Sequence, residues 1–200
     1  ASGSRSVVMS MRDFVRQFGA GDIDRRLDTG AFIRRVSPDG AESIERIVGV
    51  LAKTHSGPMI RITVGGRTIS VTPDHEFAAK LADTGEIVNV HAGEIAKAPE
   101  KYLLPTERKG RRQRAHGEGG AIMNWRRIDS CEIETVKNKT VYDIELKNGH
   151  YFPANGVISH NCRLRNGIEQ NEFSYTLGAG GVATGSINVI TVNMNRAYQT

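Results

Sequence analysis

TVYDIELKNGHYFPANGVISHNC, residues 140–162, ends by setting an imidazole (His160), a carboxamide (Asn161) and a thiol (Cys162) on consecutive positions. An Asn side-chain nitrogen can attack its own backbone carbonyl, closing a succinimide and breaking the bond to the next residue. Ordinary chains do this slowly. Acceleration needs a more nucleophilic amide nitrogen, donors for the carbonyl oxygen and a proton for the departing amine. A positioned His supplies roughly 10²–10⁴-fold of such help. His160 is adjacent to the bond that would break, and His150 lies ten residues upstream. Cys162 would become the new amino terminus, and its thiolate is the best acyl acceptor among side chains near neutral pH.

Working outward, a second group of chemistry-bearing residues stands far upstream, Thr72 and His75 in VTPDHEF. It follows two β-rich runs, PMIRITV and RTISVTP, separated by Gly65 and Gly66, a hairpin pattern that delivers both residues at the end of its second strand. Taken together, VYDIEL (141–146), His150, FPANG (152–156), and His160 and Asn161 followed by Cys162 resemble the carboxyl-terminal splicing motifs of inteins, the Hint (Hedgehog and intein) family. Thr72 and His75 resemble the family's TxxH element near the amino-terminal splice site.

Alternating strands, many turns and few helices support an all-β class without reference to any family. The resemblance implies the shape: a Hint-type horseshoe of strands with pseudo-twofold halves and one or two short helices, in which the two ends of residues 1–161 meet. It also implies roles. His75 polarises the amino-terminal scissile amide and protonates its leaving nitrogen, while Thr72 helps hold that bond. Asp143 hydrogen-bonds the first nucleophile or the Cys162 thiol and relays protons between the two sites. His150 acts on, or supports, the strand that ends at His160.

The opening, ASGSRSVVMSMRDFVRQF, holds a short apolar piece, Val7 to Met9, and then Met11, Phe14, Val15 and Phe18 at helical spacing, which predicts an amphipathic helix. Inteins usually begin with Cys, two residues and Gly. Here Gly3 follows only Ala1 and Ser2, and the first thiol in the sequence is Cys131. Three readings of Ala1 stand. It replaces the first nucleophile with shortened spacing, or the nucleophile preceded it and has been removed, or it is native, as in inteins that begin with Ala and use the downstream Cys directly. Each reading leaves the usual first acyl shift without its nucleophile, so the chain is expected to be a blocked precursor in which Asn161 cyclises slowly. Ser2 reads as a turn residue.

Cys131 and Cys162 are too few for a disulfide framework or a four-thiolate zinc site, and free thiols suit a reducing cytosol. Cys131 reads as a small core hydrophobe. No apolar run reaches membrane-spanning length and no leader pattern opens the chain, so the expectation is a soluble, cytoplasmic monomer. The formal charge is +5, and residues 106–127, with seven Lys or Arg against two Glu, hold the whole excess. A polar, glycine-containing basic run reads as a solvated loop, not a nucleic-acid surface. Residues 106–120 fall where larger inteins carry a homing endonuclease, so the resemblance implies a minimal intein with a flexible basic loop. Asp22 to Gly40 reads as strands joined by the Ser37 to Gly40 turn. Ile87 to Pro105 reads as a short helical piece and then an apolar strand. His55 and His91 match no motif.

After Asn161 the composition changes to a glycine-rich centre and one strand-like run, INVITVNMN, with too few apolar residues for a core of its own. GAGG lacks the ending and preceding strand of a phosphate loop. FSYTLGAGG and GSINVITVNMNR resemble an anaerobic-type ribonucleotide reductase, which implies that residues 162–200 are a downstream host fragment (C-extein) incapable of nucleotide reduction alone. The implied function is autocatalytic splicing of an intein, residues 1–161, whose partners are its own flanking exteins and which needs no cofactor. Zinc would inhibit by binding Cys162 and a nearby His. Two other classes remain as readings: a Hedgehog-like autoprocessing domain, which needs neither Asn161 nor Cys162, and a non-catalytic β-rich binding module.

Overall fold

Two strands of unusual length carry the architecture, β3 (Glu42–Val64) and β8 (Met123–Leu146), 23 and 24 residues long and paired antiparallel from Ile47 opposite Leu146 to Val64 opposite Ile128. A computed structural model describes residues 6–19, 30–107, 123–160, 186–187 and 189–193. Straight strands of this length would span about 75 Å at ~3.3 Å per residue. They do not run straight, because the register shifts between Ile47 and Gly49, between His55 and Gly57, and between Thr63 and Val64, and each bulge bends the ladder. The sequence reads as two strands, Ile44 to Lys53 and Pro58 to Val64, whereas the structure runs one strand through both. A bulge accommodates a residue without an N–H and a glycine at φ +141°. Across from it, Asn138 adopts φ +52° and its N–H donates to Ser56 Oγ at 3.0 Å.

The remaining strands are β1 (Ser6–Ser10), β2 (Phe32–Val36), β4 (Arg67–Val71), β5 (Glu76–Leu81), β6 (Ile87–His91), β7 (Tyr102–Glu107), β9 (Tyr151–Ala154), β10 (Val157–His160), β11 (Ser186–Ile187) and β12 (Val189–Asn193). Among the described residues the helices are α1 (Met11–Phe18), α2 (Ala92–Lys97) and a single 3₁₀ turn at Pro99–Lys101. The class is therefore all-β, as the alternation predicts. Hydrogen-bonded order runs β10-β9-β12-β2-β3-β4-β11-β8-β7-β5-β6, and further pairings of β3 with β8 and of β10 with β7 fold the sheet back on itself. All described pairs are antiparallel, which suits short turns and one buried face.

That buried face holds Ile33, Ile47, Ile60, Ile62, Ile69 and Phe77 with Leu104, Ile144 and Val157. Helix α1 closes one side. Met11 and Phe14 are buried, Val15 and Phe18 pack partly, and the Ser10 hydroxyl caps the helix by accepting from Asp13 N–H at 3.1 Å. The predicted strand after α2 is longer than expected: β7 continues through Thr106 and Glu107, residues the sequence reading assigned to the basic loop. Glu107 explains the extension, since its carboxylate pairs with Arg34 and its carbonyl accepts from Arg67 at 2.5 Å. The rest of that basic stretch, residues 108–122, lies outside the described residues. Cys131 sits opposite Ile62 at the edge of the core, half-buried, with its thiol pushed up by burial and then by Glu132. The strand-like run near the carboxyl end does not stand alone. β12 pairs with β1, β2 and β9, joining the same sheet.

Candidate functional site

The Gly65–Gly66 turn has φ +58° and +70°, values the two glycines adopt without strain. It sets β4 against β3 so that Val71 faces Ile60 and the chain leaves the sheet at Thr72, 1% exposed. Residues 72–75 then turn, with His75 N–H donating to Thr72 O at 3.1 Å and Pro73 at the position where its fixed φ helps. Two backbone amides from the start of α2 hold this turn: Ala92 N–H donates to His75 O at 2.8 Å, and Gly93 N–H to Pro73 O at 2.7 Å. A Cβ at Gly93 would lie 3.2 Å from Pro73 O, so glycine permits the approach. His91, which matches no motif, adds a third tie, its Nδ1–H donating to Asp74 O at 2.9 Å.

The second motif arrives on a second tight turn. Asn155 and Gly156 have φ +51° and +76°, joining β9 to β10 and placing Ser159 opposite Phe152 and His160 opposite Tyr151. This turn is anchored from outside the hairpin. Asn155 Nδ2–H donates to Thr68 O at 2.6 Å, and Arg67 donates to Gly156 O at 2.8 Å. Glycine suits the φ of +76° at position 156, and a Cβ there would fall 2.6 Å from Arg67 Nε, so that side chain would have to move.

The two motifs meet inside the protein. His75, 2% exposed, is 2.7 Å through Nε2 from the hydroxyl of Ser159, which has no exposure. The His75 ring stands edge-on to Phe77, with centroids 4.9 Å apart. Its Nδ1 is buried without a hydrogen-bond partner among the described residues. One residue beyond Ser159, the His160 ring stacks on His150 at 5.1 Å and meets Tyr151 edge-on at 4.9 Å. Tyr151 is oriented by its hydroxyl, which donates to Asn89 Oδ1 at 3.0 Å. Burial dominates the electrostatics: it pulls the His75 pKa down to about 3, with smaller contributions from His160 and His91. At neutral pH the His75 imidazole is therefore uncharged.

Thr72 and His75 thus lie on the first turn and His160 at the end of the strand that follows the second, with His150 in the bend before β9. Asp143 is on β8 opposite Leu51, buried, with Oδ1 accepting from Ile144 N–H at 2.8 Å. The groups to which its relay role refers, at Ala1 and Cys162, lie outside the described residues, as does Asn161. Ser159, which contacts His75, is a residue of this site that the sequence motifs do not single out. Its signal was available in the strand alternation, which sets it two residues before Asn161 on a strand ending at His160. Among the described residues, no group of three or more His, Cys, Asp or Glu is placed to hold a metal ion, and no helix is long and apolar enough to cross a membrane.

No family model matches the sequence. The fold is similar to that of the PabCDC21-1 intein (18% identical, covering 76% of this chain and 88% of that one, TM-score 0.57). It is also similar to a KlbA intein precursor from Methanococcus jannaschii (15% identical, 80% and 94% covered, TM-score 0.56). A DnaB intein from Synechocystis sp. PCC 6803 gives 18% identity, 77% and 86% coverage and a TM-score of 0.52. These likenesses establish a Hint-type fold. In sequence, the chain is 26% identical over 162 residues to the DNA polymerase II large subunit of Halobacterium salinarum. That match takes in 72% of this chain but spans about 12% of the polymerase subunit's length.

Proposed function

We propose that the chain is a mini-intein with a downstream host segment, and that its chemistry is autocatalytic protein splicing. The observation that carries this reading is the 2.7 Å contact between His75 and Ser159. It ties the TxxH turn to the strand that ends in His160, as a two-junction reaction requires. A Hint-type fold alone would serve other uses, whereas the TxxH element together with the His-Asn-Cys ending supports a reaction that cuts after Asn161 and transfers an acyl group to Cys162. The Hedgehog-like alternative needs neither residue. A match covering a short stretch of a much longer polymerase subunit is what a module inserted into a host would give. For the host of residues 162–200 we favour an anaerobic-type ribonucleotide reductase, on FSYTLGAGG and GSINVITVNMNR.

In a complete precursor, a thiol at the first position attacks the carbonyl carbon of the upstream peptide bond. The S–H proton passes to neutral His75 and from there to the amide nitrogen as the C–N bond breaks, leaving a thioester. The Cys162 thiolate displaces that sulfur and takes the upstream chain. The Asn161 side-chain nitrogen then attacks its own carbonyl, and the released Cys162 amine accepts a proton, for which His160 is the adjacent group. An S-to-N shift restores a peptide bond. Ala1 has neither thiol nor hydroxyl, so the first step is unavailable at that position, and an upstream chain could be taken only by Cys162 directly.

Intact-mass spectrometry near neutral pH over a day tests this. The expected result is slow release of the 39-residue tail, residues 162–200, abolished in Asn161→Ala. Folded protein that keeps its full mass throughout would contradict the splicing reading. Complete release within minutes would contradict the blocked state.

A further inference from the structure

The His75 ring is fixed on several sides. Its backbone N–H and carbonyl are bonded to Thr72 O and Ala92 N–H, its ring lies edge-on to Phe77, and Nε2 is held by a serine with no solvent exposure. What remains to be set is where the proton sits. A neutral imidazole has one donor and one acceptor nitrogen, and a hydroxyl can satisfy either. If Ser159 donates to Nε2, the proton is on Nδ1. If Nε2–H donates to Ser159, Nδ1 is an acceptor. Nδ1 is the buried nitrogen without a partner among the described residues, so the choice decides what it offers to an incoming group. An uncharged imidazole takes up a thiol's proton only on its lone-pair nitrogen, and Nε2 is already engaged with Ser159, which leaves Nδ1 for that task.

We propose that Ser159 is a positioning residue that accepts a hydrogen bond from Nε2–H and thereby holds His75 in the tautomer whose Nδ1 is a proton acceptor for the amino-terminal junction. The inference rests on the splicing reading. The S–H proton goes to Nδ1 as sulfur bonds to the upstream carbonyl carbon, and it leaves to the amide nitrogen as the C–N bond breaks. Ser159 itself exchanges nothing. Its effect is to remove the tautomer that would present Nδ1–H to the thiol and so could not start the step.

Long-range ¹H–¹⁵N spectra of the ¹⁵N-histidine-labelled full chain, with His75→Gln to assign the signal, read the tautomer without any activity. The expected result is a single Nε2–H form, which becomes a mixture in Ser159→Ala and is restored in Ser159→Thr. The Thr variant also retains the hydroxyl should the Ala variant fail to fold. In a precursor with an upstream peptide and Cys in place of Ala1, thiol-induced cleavage at the first junction should slow roughly tenfold in Ser159→Ala, part of the 10²–10⁴ that a positioned acid–base group supplies. It should recover in Ser159→Thr. Adding Ser159→Ala to His75→Gln should slow it no further. A proton on Nδ1 in the unsubstituted chain, or an independent, multiplicative effect of the two substitutions, would overturn the assignment. If the Cys precursor with Ser159 intact forms no thioester, the splicing reading fails, and the spectra still decide the direction of the bond.

Discussion

At the scale of single residues, the defining property of the site is a histidine out of reach of water. With a pKa near 3 against about 6.5 in an unfolded chain, His75 binds a proton in the unfolded state before it does so in the folded one. Its contribution to stability is therefore complete above about pH 6.5 and is lost progressively as pH falls toward 3. At about 1.4 kcal/mol per pH unit, the loss amounts to a few kcal/mol at the acid end. Urea unfolding between pH 7 and 4 should show that slope, and His75→Gln should flatten it while leaving stability at pH 7 less affected. An unchanged slope in the variant would mean that other groups govern the acid limb. The same burial leaves the imidazole uncharged at neutral pH, so any proton it carries in the proposed reaction has to come from the reacting groups. The sequence shows Thr72 and His75 as a motif, but the desolvation arises from Phe77, Ser159 and the chain turn around them, which no local pattern reports.

At the scale of elements, two glycine-containing hairpin turns aim the site. Gly65–Gly66 carries Thr72 and His75 to the end of β4, and Asn155–Gly156 carries Ser159 and His160 along β10. The second turn should be the more sensitive, because Arg67 joins it to the end of β7 through the carbonyls of Gly156 and Glu107. Gly156→Ala meets both a φ of +76° and a Cβ position 2.6 Å from Arg67 Nε. It should cost about 1–3 kcal/mol by urea denaturation and slow release of the tail after Asn161, whereas Gly66→Ala, with nothing within 4 Å of its Cβ, should cost only its backbone strain. Equal costs would show that Arg67 yields freely. The GG hairpin, the helix with Met11 and Phe14 inward, and the strand after α2 were all legible, since each rests on turn chemistry or periodicity within a dozen residues. The continuity of β3 through Gly57 and Pro58 was not. It depends on a bulge tied to the opposite strand by the hydrogen bond from Asn138 N–H to Ser56 Oγ, between residues 82 apart. Ser159 escaped notice for a similar reason: its partner is 84 residues away.

At the scale of the whole molecule, the long β3–β8 ribbon and the closing β10–β7 pair bring the TxxH turn and the strand that ends at His160, far apart in sequence, to one place. β12, from the segment proposed as host, lies in the same sheet between β1 and β2, so this part of that segment is a structural neighbour of β1. Such a scaffold suits a reaction that joins what lies on either side of it. The most direct measurement is tandem mass spectrometry on a precursor in which an upstream peptide and Cys replace Ala1 and the rest of the chain is unchanged. The account predicts a ligated product whose junction reads from the upstream peptide directly into Cys162, together with an excised fragment ending in a succinimide at Asn161, both absent in Asn161→Ala. Recovery of the folded, full-length precursor with no new junction would contradict it.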